Sequence, residues 1–442
     1  MKNFITIAIA ALLVFSCSKD KDYDKEKAVL AFVENDKLAI DPSLQNYKIN
    51  IPQQQNLAFA NGNFVANSQI ENFTKNFSFT KKKQFSLRKS SQFWSFYRGD
   101  ADDRFIFSPV IKDDKAFILE TSGVLVAYDM KAEKKLWQKR LFPRQFFKNY
   151  QNPKIAYLDG VIFAVVGINK VAAVEEKNGE ILWSKDISAI PVSTPLADGK
   201  LVYVSTNDNK LYALDTKTGD LQWVQSGVLK PAAIFGAADL VLNKDTIIVS
   251  YSSGEIYAVN KKTGESLWSS SLNVSRAVSS DFYLNDIDAT PIAKDDVIYA
   301  IGNGGLMMAI NAKDGNYLWK KEVSGLTNFW LAGDFLFVIN NDNKLISLHK
   351  KTGAVKWVAQ LPDYKNKEKP QTKFLYSGII MAGGELLISR FDGELLLVSP
   401  VSGAVEKTFS IGKKVSHSPI VVNGKIYFYS LGRFTADLIE IE

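Results

Sequence analysis

Cysteine and histidine are almost absent from this chain of 442 residues. The single cysteine is Cys17, and the two histidines are His349 and His417. A mature chain with no second cysteine can form no internal disulfide and no thiolate zinc site, and two isolated histidines give little basis for a histidine-ligated metal or a Ser-His-Asp triad. No other constellation with metal-ligand spacing stands out. We therefore expect no catalytic residues, no metal and no cofactor, and a fold that is stabilised by packing.

Apolar runs long enough to cross a bilayer are also lacking. The run at residues 4–15 follows Lys2 and has about a dozen residues, which is short for a membrane span and typical of a secretory signal. Val14-Phe15-Ser16-Cys17 resembles the lipobox of bacterial lipoproteins, in which the cysteine is acylated. This pattern predicts a signal peptide at 1–16 and lipidation at Cys17, with a plain cleaved signal or a buried thiol as the alternatives.

The next stretch, 17–69, lacks any sustained period. It begins with the charge-alternating run SKDKDYDKEK and continues rich in Asn and Gln, so we expect a flexible tether. The charged run also resembles surface-export signals of some lipoproteins. A basic stretch follows at 80–94, TKKKQFSLRKSSQFW, which is either simply solvated or in contact with lipid or a partner. The net charge of +7 on an exported chain favours an anionic membrane surface or an acidic partner over nucleic acid, with solubility as the alternative.

One unit recurs through the rest of the chain. The five full copies are AVEEKNGEILW (173–183), ALDTKTGDLQW (213–223), AVNKKTGESLW (258–268), AINAKDGNYLW (309–319) and SLHKKTGAVKW (347–357). In each copy Gly stands six residues after the small first residue, and Trp stands ten after it. Two further copies depart from the pattern. AYDMKAEKKLW (127–137) has Glu133 in place of Gly, and LVSPVSGAVEK (397–407) has lost the Trp.

The repeat predicts a β-propeller. Alternating apolar residues indicate strands, and the segment around Gly indicates a tight turn that needs a positive φ. Each repeat contains two such hairpins and therefore four short strands, and eight first hairpins can be counted. The spacing between Trp residues runs from 38 (357 − 319) to 51 (319 − 268) residues, about one blade. We expect an all-β, eight-bladed propeller of four-stranded antiparallel blades over 70–442, with a β-helix or a seven-bladed ring as alternatives.

Two details complete this prediction. The last repeat has only three strands, so we expect an N-terminal strand at about 70–79 to complete it and close the ring. We also expect the repeated tryptophans to pack between blades, and these are Trp137, Trp183, Trp223, Trp268, Trp319 and Trp357.

The fifth unit carries an acidic pair that its sisters lack. In NDIDATPI (285–292), Asp286 and Asp288 precede a Thr-Pro that recurs elsewhere without acids. A requirement common to all blades would recur, so the acids serve something local. They either cap a turn or pair with a neighbouring base, or they bind an Arg or Lys of a partner.

The repeat resembles that of pyrroloquinoline-quinone dehydrogenases and of the BamB lipoproteins of the outer-membrane β-barrel assembly machinery, both eight-bladed propellers. The enzymes typically have a pair of adjacent cysteines, which this chain lacks. DIDATPI is similar to the BamB Asp-x-Asp-x-Thr-Pro segment, whose acids are implicated in binding the barrel protein BamA. That resemblance implies partner binding by Asp286 and Asp288. The family's Leu-x-Leu-Arg element is not reproduced, and Leu229 and Lys230 are the nearest candidates.

The resemblance implies a non-enzymatic scaffold lipoprotein, monomeric within a hetero-complex and on the periplasmic side of the outer membrane. It would bind a BamA-type barrel protein and unfolded outer-membrane proteins. A cofactor-dependent dehydrogenase and a surface-exposed ligand-binding propeller are the alternatives.

Overall fold

The computed structural model describes residues 38–61, 70–80, 82–89, 109–120, 122–142, 153–166, 169–228, 238–273, 287–365, 372–415, 417–431 and 435–441. Residues 40–442 form one compact unit. A short 3-10 helix, η1 (Pro42–Leu44), comes first, and the strands β1 (Phe59–Ala60) and β2 (Lys82–Lys89) precede the repeats.

The repeats supply the remaining strands in groups of four. Blades 1 to 4 consist of β3 (Val110–Lys112), β4 (Lys115–Leu119), β5 (Val124–Asp129), β6 (Lys134–Arg140); β7 (Lys154–Leu158), β8 (Val161–Val166), β9 (Lys170–Glu175), β10 (Ile181–Asp186); β11 (Leu196–Ala197), β12 (Leu201–Thr206), β13 (Lys210–Asp215), β14 (Leu221–Ser226); and β15 (Val241–Asn243), β16 (Thr246–Ser250), β17 (Glu255–Asn260), β18 (Ser266–Ser271).

Blades 5 to 7 follow the same order, and blade 8 has three strands from this part of the chain. These strands are β19 (Ile292–Lys294), β20 (Val297–Ile301), β21 (Met307–Asn311), β22 (Tyr317–Lys321); β23 (Trp330–Ala332), β24 (Phe335–Ile339), β25 (Lys344–His349), β26 (Val355–Gln360); β27 (Tyr376–Ala382), β28 (Glu385–Arg390), β29 (Glu394–Val398), β30 (Val405–Ser410); and β31 (Ile420–Val422), β32 (Lys425–Leu431), β33 (Thr435–Ile441).

Blades 1 to 7 are meanders of four antiparallel strands, which we label A to D from the ring axis outward. In blade 8, β31, β32 and β33 are strands A to C and β2 is strand D, and in blade 1 the short strand β1 also pairs with β3. Because direction alternates, the A–B and C–D turns lie on one face of the ring, which we call the turn face. The B–C turns and the connections between blades lie on the other, the connector face. The predicted all-β, eight-bladed propeller is confirmed.

Inner strands and outer strands differ in burial as their positions require. In β12, the B strand of blade 3, Val202, Tyr203 and Val204 are successive buried residues, because both faces of a B strand pack on neighbouring blades. In β6, an outer strand, most residues are exposed. Apolar side chains between blades therefore provide most of the stabilising burial.

The repeated Gly and Trp meet across the interface between consecutive blades. The Nε1–H of Trp183 in blade 2 donates to the Thr216 carbonyl in the C–D turn of blade 3, at 2.9 Å. Trp137, Trp268, Trp319 and Trp357 make the equivalent bond to their next blade. At Trp223 the equivalent carbonyl, that of Lys261, accepts the Tyr203 hydroxyl instead, at 3.0 Å.

The glycine in the C–D turn of the following blade packs directly against the indole ring of the tryptophan. A Cβ on Gly219 would lie 2.6 Å from Cε3 of Trp183, and the φ of Gly219 is +72°. The same contact recurs at five further glycines, Gly179, Gly264, Gly315, Gly353 and Gly403. The Gly-x-x-x-Trp spacing therefore joins each blade to the next twice, since Gly contacts the preceding blade and Trp the following one.

The two departures from the repeat both lie where the ring closes. Glu133 takes the position of the glycine in blade 1 and keeps a positive φ of 52°. The outer strand that it faces is β2, which carries Lys83 rather than a tryptophan, and the Lys83 Nζ lies 2.8 Å from Oε1 of Glu133. Lys407 takes the position of the tryptophan in blade 7. Blade 8 offers no C–D turn to pack on it, because the C and D strands of that blade are not consecutive in the chain.

An N-terminal strand closes the ring, as predicted, but it is not the predicted segment. β2 pairs antiparallel with β33, with Lys82 opposite Ile441 and Lys89 opposite Thr435. The predicted 70–79 segment instead runs beside the seam, where Phe79 packs on Phe409 with ring centroids 5.6 Å apart. The longer β2 also provides polar partners for a buried carboxylate. Asp437 in β33 accepts from Gln84 (2.9 Å), Ser86 (3.2 Å) and Lys413 (2.6 Å).

The predicted tether at 17–69 is also corrected, because residues 40–61 pack on the ring. They and residues 70–80 contact the turn face and inner strands of blades 1, 2, 5, 6, 7 and 8. Asparagines make many of these contacts, and Asn72 donates to the Pro52 carbonyl (2.7 Å) and accepts from the Gly384 amide (3.1 Å). Asn and Gln therefore dock this segment through amide hydrogen bonds, which leave no periodic apolar signal.

Alanine at Gly219 is expected to destabilise the protein by about 2–3 kcal/mol, because it adds a clash with Trp183 to backbone strain. Gly160→Ala is a matched control, because Gly160 has a φ of +86° and no atom within 4 Å of the added Cβ. It should cost about 1 kcal/mol through strain alone. Urea denaturation of both variants measures the difference. Equal losses would contradict a packing role for the Gly–Trp contact.

Candidate partner-binding face

The predicted partner-binding residues come from two consecutive segments of the sequence between blades, 227–240 and 272–291. Leu229 and Lys230 follow β14 of blade 3, and Asp286 and Asp288 precede β19 of blade 5. Each segment follows an outer strand and precedes the inner strand of the next blade, so its described ends lie on the connector face. Leu229, Lys230 and Asp286, and also the lipidation candidate Cys17, lie outside the described residues. Asp288 is within them.

Asp288 lies in an extended segment that enters blade 5. Its neighbours Ile287 and Ala289 are buried, at 2% and 0% exposure, whereas Asp288 is only partly buried. The Ala238 amide donates to the Ile287 carbonyl at 3.3 Å, which ties this segment to the entry of blade 4. The backbone that carries Asp288 is therefore held in place on both sides.

The Thr-Pro that follows has a structural role shared by several blades. The Thr290 amide donates to Oδ1 of Asn328 in the next blade (2.8 Å), and its hydroxyl accepts from the Asp239 amide of the preceding blade (3.1 Å). Oδ1 of Asp239 in turn accepts from the Thr194 amide (2.8 Å). Each of these four residues stands two positions before the first strand of its blade, so the bonds form a polar belt around part of the ring.

Sequence reasoning identified the Thr-Pro positions of this belt and missed the other members. Asp239 and Asn328 occupy the same place in blades that lack Thr-Pro, and alignment on the start of the first strand would have found them. Lys154 of blade 2 also reaches Asp239, at 3.1 Å, with 11% of its side chain exposed. Oδ1 of Asp239 thus has two partners within the ring, the Thr194 amide and the Lys154 ammonium.

The end of blade 3 that precedes Leu229 and Lys230 is held in place by hydrogen bonds. Asn209, in the B–C turn of blade 3, donates to the Val228 carbonyl at 2.6 Å and accepts from the Ser252 hydroxyl at 3.0 Å. Beneath it, Tyr251 donates its hydroxyl to Gln225, and burial raises the pKa of Tyr251 well above its usual range. Val228 itself is 54% exposed. The described part of blade 3 therefore ends at Val228, at a firmly held and accessible point of the connector face.

The remaining chemistry of the described residues is sparse. In them, no group of three or more His, Cys, Asp or Glu side chains could hold a metal ion. Nor does any helix in the described ranges have the length and apolarity that a membrane crossing requires. His417 is buried, and burial lowers its pKa to about 4.

Comparison with known proteins follows the architecture. Residues 121–359 match the family described as outer membrane protein assembly factor BamB. The BamB of Moranella endobia is 24% identical over 331 residues, which cover 72% of this chain and 84% of that protein.

Among solved structures, BamB from Moraxella catarrhalis aligns with a TM-score of 0.65 at 18% identity, covering 77% of this chain and 97% of that one. A quinohemoprotein alcohol dehydrogenase from Pseudomonas putida aligns with a TM-score of 0.64 at 12% identity, covering 88% and 80%. At these identities the structural matches show a shared fold. The family match extends over more than half of the sequence, and the chain belongs to the BamB family of outer membrane protein assembly factors.

Proposed function

We propose that this chain is a non-enzymatic scaffold in the assembly of outer-membrane proteins. Cys17 would carry the lipid that anchors it to the periplasmic side of the outer membrane. The connector face would bind a BamA-type barrel protein, and the scaffold would assist insertion of unfolded barrel proteins as one subunit of a hetero-complex. Family membership is the observation that carries this proposal, and the position of Asp288 on the connector face supports the docking site.

Of the two faces of the ring, the connector face is the less covered by the N-terminal segments and is the better candidate for partner binding. The N-terminal segments 40–61 and 70–80 cover much of the turn face, with contacts at the A–B turns of blades 6, 7 and 8. The connector face would carry the two non-repeated sequence elements, and the described residues on either side of each are tied to the ring by hydrogen bonds. Acids on rigidly supported loops are well suited to charge-assisted bonds with Arg or Lys of a partner.

The double variant Asp286→Ala, Asp288→Ala is expected to weaken partner binding at least about tenfold, because it removes charge-assisted bonds at the interface. The thermal midpoint should change little. Crosslinking and pull-down from cell envelopes, followed by titration of purified components, measure both effects.

The control Asp186→Ala, Asp245→Ala removes the same charge from exposed side chains elsewhere on the ring, at 65% and 78% exposure. It should leave binding intact. A large loss of stability in the Asp286 and Asp288 variant would instead identify these acids as turn caps. A pull-down that recovers no barrel-assembly protein would contradict the scaffold function itself.

The enzyme alternative has a direct test of its own. The purified chain, incubated with pyrroloquinoline quinone and calcium, should show neither quinone absorbance nor alcohol oxidation. Quinone binding with turnover would overturn the non-enzymatic assignment.

A further inference from the structure

The outer wall of the ring carries an unequal distribution of positive charge. The two outer strands at the seam, β2 of blade 8 and β6 of blade 1, contain eight basic residues and no acid, in the sequences KKQFSLRK and KKLWQKR. The other six outer strands together contain five basic residues and two acids, a net charge of +3. The seam wall, as we call β2 and β6 together, therefore carries a net charge of +8 on only two of the eight blades.

These two strands adjoin in space. Lys83 of β2 is 2.8 Å from Glu133, which immediately precedes β6, and Phe85 of β2 packs on Tyr128 of blade 1 with ring centroids 6.3 Å apart. Lys82, Lys134, Lys135 and Lys139 are exposed. Their charges consequently add at one surface, where the summed field attracts anions.

Neighbouring acids do not neutralise the exposed lysines of β6. In the outer strand of blade 2, by contrast, Lys185 pairs with Asp220 (2.8 Å). No carboxylate of another described residue lies within the 4 Å of a salt bridge from Lys134, Lys135 or Lys139. Glu133 is the acid nearest in sequence, and it already pairs with Lys83.

Protection of open sheet edges does not account for these lysines. Lysine on an edge strand discourages pairing with other chains, and this need would recur at every blade. The outer strands of blades 3 and 4 contain no lysine or arginine, although Leu221 and Leu267 in them are about half exposed, at 55% and 49%. The basic residues are therefore particular to the seam wall.

The length of chain before the ring suggests what faces this wall. The ring begins at Ile40, whose neighbour Asp41 donates its amide to Val355 of blade 6, so 23 residues (40 − 17) separate Cys17 from the first contact. A chain of that length reaches at most about 80 Å, even when fully extended. An acyl group on Cys17 would hold the ring close to a bilayer, and a basic wall that close to a bilayer meets its headgroups.

We propose that the seam wall binds a membrane surface that carries anionic headgroups, in addition to the lipid anchor. This inference rests on the proposed function only in placing the ring beside a membrane. Each exposed lysine near an anionic bilayer adds attraction that falls off within a Debye length, so the contact should be weak, additive and sensitive to salt.

Vesicle sedimentation with the chain from residue 18 tests this, since it keeps the whole compact unit and carries neither signal nor acyl chain. Vesicles of phosphatidylcholine alone are compared with vesicles that also contain phosphatidylglycerol. Wild type should bind only the anionic vesicles and should release in high salt. The variant Lys134→Gln, Lys135→Gln, Lys139→Gln should bind about a hundredfold more weakly.

The matched control is Lys185→Gln, Lys320→Gln, Lys321→Gln, which removes the same charge from the outer strands of blades 2 and 5. It should lose less than about threefold, because charges far from the contact are screened. Equal losses in the two variants, equal binding to neutral vesicles, or no vesicle binding by wild type would each overturn the proposal. Partner pull-down in detergent, without vesicles, reports on the scaffold function separately, so either proposal can fail alone.

Discussion

Replacing Gln84 and Phe85 with proline should open the ring at its seam and cost at least about 5 kcal/mol of unfolding free energy. Phe85 is 2% exposed, and loss of a buried phenylalanine side chain alone costs about 3–5 kcal/mol. Proline also removes backbone donors from the β2–β33 ladder, and the Gln84 side chain no longer donates to buried Asp437. Few other contacts replace this closure, because β2 is the only strand that pairs with the outer edge of β33 in the described ladder.

Hydrogen exchange of the β33 amides separates ring opening from a general loss of stability. In the wild type β33 is paired on both sides, with β32 and with β2. The variant should lose protection specifically in 435–441, and the denaturation midpoint should fall. The control Leu221→Pro, Gln222→Pro interrupts the outer strand of blade 3, where Leu221 is 55% exposed, and should cost only about 2–3 kcal/mol. Unchanged protection of β33 in the seam variant would show that β2 does not close the ring in solution.

Acidification should reveal His417 as a large, specific source of pH-dependent stability. Its Nε2 accepts from the Tyr429 amide at 2.9 Å, so the proton is on Nδ1, which donates to the Ser418 carbonyl at 2.6 Å. The imidazole also stacks on the Tyr429 ring. Protonation of Nε2 would break the first bond and place a charge in a buried site, so burial lowers the pKa of His417 from 6.5 to about 4.

The sign of the effect follows from proton uptake. Between pH 6.5 and pH 4 the unfolded chain binds a proton at His417 that the folded chain does not bind. The stabilisation is therefore complete above pH 6.5 and is lost as the pH falls toward 4. A difference of 2.5 pKa units (6.5 − 4) corresponds to about 3 kcal/mol.

Urea denaturation across this pH range, in wild type and in His417→Gln, measures the contribution of this one residue. Glutamine can still accept from the Tyr429 amide, so the variant should fold while its stability falls less steeply between pH 6.5 and pH 4. His349→Gln is the comparison: partial burial also lowers the pKa of His349, so this residue should contribute a smaller part of the slope than His417. Parallel curves for wild type and His417→Gln would contradict a neutral, buried imidazole.

Much of this architecture was predictable from the repeat. The fixed Gly and Trp spacing predicted four strands per unit and eight units, because a blade with two apolar faces is stable only between two others. Glu133 and Lys407 were visible as departures in the sequence. Their reason became clear only when the structure placed both beside β2, where one side of the Gly–Trp contact is missing.

The candidate site was predictable in part. The acids of NDIDATPI were recognisable because the other repeats have no acids at the same positions. Asp239 and Asn328 showed no such difference in the sequence. Their role is defined by hydrogen bonds to Thr290 of the neighbouring blade. Asp239 is 51 residues (290 − 239) and Asn328 is 38 residues (328 − 290) from Thr290 in the chain. A hydrogen bond between residues so far apart leaves no local pattern.

By itself, the sequence of this protein determined the blade, the number of blades and the contact that joins them, since these depend on short-range periodicity repeated many times. The tertiary structure decided which N-terminal strand closes the ring, where residues 40–61 and 70–80 dock, and that the basic strands β2 and β6, which are 45 residues apart in the chain (134 − 89), meet in one wall. Each of these rests on a single pairing between distant segments, made by amide hydrogen bonds, a buried carboxylate or summed charge. None of these interactions is repeated along the chain, so periodicity could not reveal them.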